Sequence, residues 1–168
     1  MSHPQYHSQQ PYQPQQPHLS QQSWAGSGEP PLWAPWYGAP FAAAVKRFFK
    51  KYATFSGRAS RSEYWWWTLV SIIVSIVLNI VITAGINYTG YGPTAGLGTL
   101  IGILLAATWL LAFFIPSLAL SVRRLHDSNK SGWMLLLALV PVAGPIIVLV
   151  FMLLGPEPAG QQYDQPMA

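Results

Sequence analysis

Two short polar clusters hold most of the chemistry this chain could perform. One reads Phe55-Ser-Gly-Arg58-Ala-Ser-Arg61-Ser-Glu63-Tyr-Trp65, the other Arg123-Arg124-Leu-His126-Asp127-Ser-Asn-Lys130-Ser-Gly-Trp133. An imidazole beside a carboxylate suits proton transfer or metal ligation, because the carboxylate orients the ring and tunes its basicity. A metal site wants three or four convergent ligands, however, and no second histidine exists outside the N-terminal tail. Neighbours on a helix also diverge by about 100°. His126 and Asp127 therefore read better as headgroup contact and an Asp127 network with Arg or Lys, and no catalytic residue, metal or other cofactor is expected. Arg123 and Arg124, with Lys130, serve either as topology signals or as a bidentate guanidinium site for lipid phosphate. Glu63 closes the capping-box spacing Ser60-Arg-Ser-Glu63, or it is a carboxylate ion-paired with Arg123 or Arg124 across two helices.

The elements that must position these clusters are apolar. Of 168 residues, 51% are hydrophobic and only 8% charged, against about a quarter charged in soluble domains. That is a membrane composition. The net charge of +4 sits beside apolar segments, which points to lipid and away from nucleic acid. With no cysteine, disulfides, thiolate metal sites and a cysteine nucleophile are excluded.

Residues 64–122 carry no Asp, Glu, Lys or Arg. About 20 helical residues span the hydrocarbon core, so this stretch divides at the Gly/Pro-rich Asn87 to Gly96 into two spans, Trp65 to Ile86 and Leu97 to Val122. A third apolar run, Trp133 to Leu154, is interrupted by Pro141 to Pro145 and stopped by Gly155-Pro156. It is expected to cross once with a kink. A re-entrant loop is the alternative, because backbone freed by proline is tolerated at membrane depth only under cover. The fold class is all-α integral membrane: three transmembrane helices preceded by an interfacial amphipathic helix and a disordered tail.

All nine basic residues lie between Lys46 and Arg61 or between Arg123 and Lys130. Both groups should face the cytoplasm, so three crossings place the N-terminus inside and the C-terminus outside. Phe41 to Phe55 reads as a basic amphipathic helix. Phe41, Val45, Phe48, Tyr52 and Phe55 form its apolar stripe, while Lys46, Arg47, Lys50 and Lys51 turn toward anionic headgroups, with Trp33, Trp36 and Tyr37 sharing the interface. Residues 1–40 contain one charge, Glu29, amid Pro, Gln, Ser, Tyr and His, and are expected to be a disordered spacer. Its Pro14-Gln-Gln-Pro17 and its His3 and His7 are matches that such a composition generates by chance, and no secretory signal begins the chain. The membrane domain occupies residues 41–163, with a short C-terminal end at 164–168.

Inside the first span, Ser71, Ser75, Asn79 and Thr83 recur every fourth residue, a polar stripe expected to face protein. Gly98, Gly102 and Ala106 form a small-residue seam on the second span that lets backbones approach.

The combination of Gly57, Arg58, Ala59, Arg61, Glu63, Tyr64 and Trp65 with Arg123 to Asp127 and Ser131 to Trp133 resembles the YhaH/YhaI-like domain-of-unknown-function family of small bacterial inner-membrane proteins. The resemblance covers roughly residues 45–163 and departs at the C-terminal end, where Gly160-Gln-Gln-Tyr163-Asp164 replaces the family's closing Gly, Asn and Tyr/Phe-Gly. It implies a bacterial inner-membrane protein without an assigned activity. The expected function is a non-enzymatic module engaging anionic lipid headgroups, and protein partners through its tail, with a homo-oligomer left open. Alternatives are a small transporter or channel using the Asn79 stripe, and an interfacial enzyme acting through His126, Asp127 and Glu63.

Overall fold

The computed structural model describes residues 28–164, so His3, His7, the Pro14 to Pro17 motif and the final residues 165–168 lie outside the described residues. Helix α2 (Arg61–Ala84) starts at a capping box: the Ser60 hydroxyl accepts from the Glu63 amide, and the Glu63 carboxylate accepts from the Ser60 amide. A β-hairpin follows, β1 (Ile86–Thr89) paired antiparallel with β2 (Gly92–Ala95), in place of the irregular loop expected at Asn87 to Gly96. Helix α3 (Leu97–Asp127) then returns alongside α2. Gly98 and Gly102 are where the two backbones meet: a Cβ on Gly98 would stand 3.1 Å from the Gly85 Cα, and Gly102 is buried against the Ile82 backbone. Ala106, a turn further on, is half-buried.

Both helices are long and apolar enough to cross a membrane, with a mean hydropathy of 2.3. The 31 residues of α3 extend about 46 Å at helical rise, some 16 Å beyond a hydrocarbon core of about 30 Å. The last turn of α3, within that overhang, carries Arg123 to Asp127, so the first half of the second polar cluster is the end of a helix and not a loop. Pro116 lies inside α3. Lacking an N–H, it cannot bond the carbonyl of Ala112; the Tyr52 hydroxyl donates to that carbonyl instead, the re-satisfaction that apolar surroundings demand.

The third apolar run departs from the expected kinked crossing. Gly132–Leu139 is a 3₁₀ segment and α4 (Ala143–Leu153) a short α-helix, packed against each other. Between them Val142 adopts φ 65° and the Ala143 amide donates to the Pro141 carbonyl at 2.7 Å, a tight γ-turn that reverses the chain. Eight residues at 2.0 Å and eleven at 1.5 Å give arms of about 16 Å each, half the core thickness. Both ends meet the same end of α3: Gly132 lies against Val122, while the Met152 and Leu154 carbonyls accept from Arg124. The run is re-entrant in form. Residues 155–164, including the 3₁₀ turn Pro158–Tyr163, consequently sit at the N-terminal end of α2 and not at the opposite end, as three crossings required.

Helix α1 (Phe41–Lys50) ends five residues earlier than the apolar stripe suggests, with Lys51 as its cap. Its Phe48 stacks on Trp67 of α2, centroids 3.5 Å apart, and joins Ala59 and Leu120 in a small core flanked by Tyr64, Val70, Trp109 and Phe113. Residues 28–40 belong to the fold, contrary to the spacer reading. Pro30, Ala34, Pro35 and Ala39 are buried, forming a strap over α1 and the start of α2.

Candidate functional site

The charged residues meet at the end of the α2–α3 pair where α1, the strap and residues 155–164 converge. They form two groups. In the first, Arg47 of α1 is buried and donates through Nε to Glu63 Oε1 at 2.6 Å. Its remaining donors go to the carbonyls of Pro30, Pro31 and Ala34, and its guanidinium lies 5.9 Å from the Trp36 ring centroid. An arginine that finds a carboxylate, three carbonyls and an aromatic face is what orders the strap. Glu63 accepts three bonds: one from Arg47 at Oε1, and two from the amides of Ser60 and Trp36 at Oε2, at 2.9 and 3.3 Å. Lys51 Nζ, 4.0 Å from Glu63 Oε1, and Arg123 Nη2 are both buried without hydrogen-bond partners among the described residues. Arg123 Nε donates to the Ala119 carbonyl one turn back. Three cations thus gather about Glu63, and Glu29 adds a second carboxylate 3.6 Å from Arg47 Nη1. Burial pushes the Lys51 ammonium down to about 7, against the opposing pull of Glu63.

The second group is balanced. Arg58 grips Asp164 bidentately, Nε to Oδ1 at 2.8 Å and Nη2 to Oδ2 at 2.6 Å, and lies 3.7 Å from Asp127. Burial works against the Arg58 charge, but the hydrogen bonds and charge of Asp164 outweigh it and raise the pKa overall. Asp127 accepts from Arg124 Nη1 at 3.0 Å and from the Tyr37 hydroxyl at 2.6 Å. Burial, together with that bond to a carboxylate, pushes the Tyr37 phenol upward. Arg124 also donates to the Met152 and Leu154 carbonyls, and Arg61 Nε adds a bond to Leu154 at 2.9 Å. Those carbonyls end α4, where helix geometry leaves acceptors unpaired. The arginines are therefore the clasp of the re-entrant hairpin. Gly57, at φ 79°, supports the same junction: its carbonyl faces His126 Nδ1 at 3.2 Å, and a Cβ there would stand 2.7 Å from the Trp33 carbonyl.

These contacts revise several readings. Glu63 does cap α2, but its ion-pair partner is Arg47; Arg124 pairs with Asp127. Arg123 and Arg124 are fully buried and do not present a phosphate fork at the surface. Arg47 and Lys51 point inward as well, leaving Lys46 and Lys50 on the exposed face of α1. The cause is packing: with Phe48 seated on Trp67, its helical neighbours at 47 and 51 must turn toward Glu63. Tyr37 and Trp36 serve Asp127 and Arg47 instead of the bilayer interface. His126 stacks on Tyr163, centroids 3.9 Å apart, while Asp127 faces the arginines, so the two adjacent residues do different work. Among the described residues no three His, Cys, Asp or Glu converge as metal ligands.

The intramembrane stripe does not face protein within the chain. Ser71 is half-buried, whereas Ser75, Asn79 and Thr83 are exposed. Ser75 and Thr83 donate back to the carbonyls of Ser71 and Asn79. Ser71, Ser75 and Asn79 line a groove of about 560 Å³ with Tyr64, Trp67, Ser117 and Ser121. The sequence names Tyr52, Tyr163 and Asp164, in the apolar stripe and at the C-terminal end, but not the contacts they make here. Pro116 inside an uninterrupted apolar run was the available signal for the first; nothing local marked the other two, whose partners lie up to 106 positions away.

Residues 52–165 match the family described as "Protein of unknown function (DUF805)". Among curated proteins, the chain is 40% identical over 103 residues to inner membrane protein YhaI of Escherichia coli K12, covering 61% of this chain and 75% of that one. It is 38% identical over 105 residues to inner membrane protein YhaH of the same strain, covering 62% and 79%. No solved structure matches.

Proposed function

The chain belongs to the family of proteins of unknown function DUF805, and from that premise we propose that it is a non-enzymatic inner-membrane module that presents one face to anionic lipid and its N-terminal tail to protein partners. The observation that carries this reading is the outward face of α1 and the residues just after it. Phe41 and Phe49, followed by Tyr52 and Phe55, are exposed beside Lys46 and Lys50, while Arg47 fastens the helix from beneath. Aromatics with flanking lysines suit a headgroup region. At about 1 kcal/mol per basic residue near an anionic surface, two outward lysines supply about 2 kcal/mol, half of what four would. His126, Asp127 and Glu63 are each engaged in structural bonds, which favours the non-enzymatic reading.

The charged end of the helix pair faces the cytoplasm in this reading, since that is where the basic residues gather. The re-entrant run supports the C-terminal residues 155–164 being cytoplasmic too. Transport through an oligomer is the second reading, favoured by the groove that Asn79 lines. Retention of anionic against zwitterionic lipid by the full chain, measured by native mass spectrometry, tests the first reading. Lys46→Gln with Lys50→Gln should abolish the preference; an unchanged preference in the double variant would overturn it. Solute flux in proteoliposomes that Asn79→Leu stops would promote the second.

A further inference from the structure

Lys51 is the one lysine among the described residues whose amine is sealed inside the protein: 2% of the residue is exposed, and Nζ has no hydrogen-bond partner. The groups facing it are Glu63 from α2, Arg47 from α1, Arg123 from α3 and Asp164 from the C-terminal turn. Glu63 Oε1 lies 4.0 Å from Nζ, beyond hydrogen-bond length, and is held at 2.6 Å by Arg47. Asp164 is committed bidentately to Arg58. A protonated Lys51 would thus be a third cation beside Glu63 with an ion pair but no hydrogen bond, and a buried ammonium so poorly served is costly. The neutral amine avoids that cost. Lys51 is also well placed to escape it, being the cap residue at the end of α1, followed by the exposed Tyr52 and Ala53.

We propose that Lys51 is a proton-operated latch: uptake of a proton at its buried amine unseats the last turn of α1 from the α2–α3 pair, and loss of the proton reseats it. The latch uses no lipid contact and stands apart from the lipid-binding reading. Its range follows from burial, which brings the seated amine to about 7 against an ordinary lysine value of about 10.4 once released, so release is increasingly favoured as pH falls from about 10 to about 7. The sign for stability is fixed by linkage. A lysine whose pKa is depressed in the folded state binds fewer protons than in the unfolded chain between about 7 and 10.5, so stability rises with pH across that window and is insensitive to Lys51 below it.

The test uses the full chain in nanodiscs of zwitterionic lipid, so that failure here is distinct from failure of anionic-lipid binding. With no native cysteine, Ala53→Cys carries a single spin label. The label should become more mobile as pH falls from about 10 to about 7 and change little below that, and Lys51→Met should keep it immobile throughout. A transition that survives in Lys51→Met, or no transition with Lys51 present, overturns the latch. An independent readout is the ¹³Cε-lysine spectrum of the unsubstituted chain, whose four lysines are Lys46, Lys50, Lys51 and Lys130. The Lys51 resonance should titrate well below the ordinary lysine range; a Lys51 resonance titrating in that range would overturn the latch.

Discussion

The two halves of the buried charge cluster are built on opposite principles. Around Asp127 and Asp164, two carboxylates meet Arg58 and Arg124, and the Tyr37 hydroxyl and the α4 carbonyls take up further bonding capacity. Around Glu63, that carboxylate meets Arg47, Lys51 and Arg123, with Glu29 adding a second carboxylate 3.6 Å from Arg47; Lys51 and Arg123 each keep an idle donor, against one, Arg58 Nη1, in the other half. Paired, hydrogen-bonded charge fixes geometry, whereas unpaired buried charge makes a structure sensitive to protonation. The balanced half accordingly joins what must stay joined, the re-entrant hairpin and residues 155–164 to the end of α3. The unbalanced half lies beneath α1, the element at the periphery.

Substituting Arg124 should break the balanced half most severely. Arg124→Gln leaves Asp127 short of its nearest cation and strips donors from Met152 and Leu154. Breaking a buried pair costs about 3–5 kcal/mol, so thermal unfolding in detergent should fall by roughly 10 °C; a fall of only a degree would detach the hairpin from this residue. Within the unbalanced half, Glu63→Gln with Arg47→Gln should show a coupling of about 2 kcal/mol in a double-mutant cycle, while Glu63→Gln with Arg124→Gln should be additive within about 0.5 kcal/mol. The reverse pattern would make Arg124 the partner of Glu63 after all. A smaller effect is expected for Tyr52→Phe, which orphans the Ala112 carbonyl opposite Pro116. The loss should be about 1–2 kcal/mol, visible as a 3–5 °C shift, and it should vanish in a Pro116→Ala background, where the helix can bond that carbonyl itself.

How much of this was legible depended on whether the signal was local. Uncharged length and Gly/Pro breaks marked α2 and α3, and Ser60 with Glu63 marked the capping box, because each is decided by neighbours in sequence. For the third run the sequence leaves two alternatives, a kinked crossing and a re-entrant loop at Pro141 to Pro145, and the γ-turn at Val142 that reverses the chain selects the second. The charge pairing is legible only in part: the sequence points to an Asp127 network with Arg or Lys, which Arg124 and Arg58 supply, but not to Arg47 as the partner of Glu63. The 46–51 spacing offered two faces of α1 for the basic residues, and only the seating of Phe48 on Trp67 selects the pair that turns inward. The strap at residues 28–40 was hidden by its composition, since nothing nearby reveals that Arg47 will gather its carbonyls.

The central claim is that the apolar run 131–154 enters and leaves at one end of the helix pair, bringing residues 155–164 to the same face as α1. The chain has no cysteine of its own, so single cysteines in place of Lys46, Tyr91 and Gln161 can be labelled with a membrane-impermeant maleimide in vesicles of known orientation. Gln161→Cys should label from the same side as Lys46→Cys and from the side opposite to Tyr91→Cys in the β-hairpin. Labelling of Gln161→Cys together with Tyr91→Cys would mean that the run crosses the membrane, and would contradict the account.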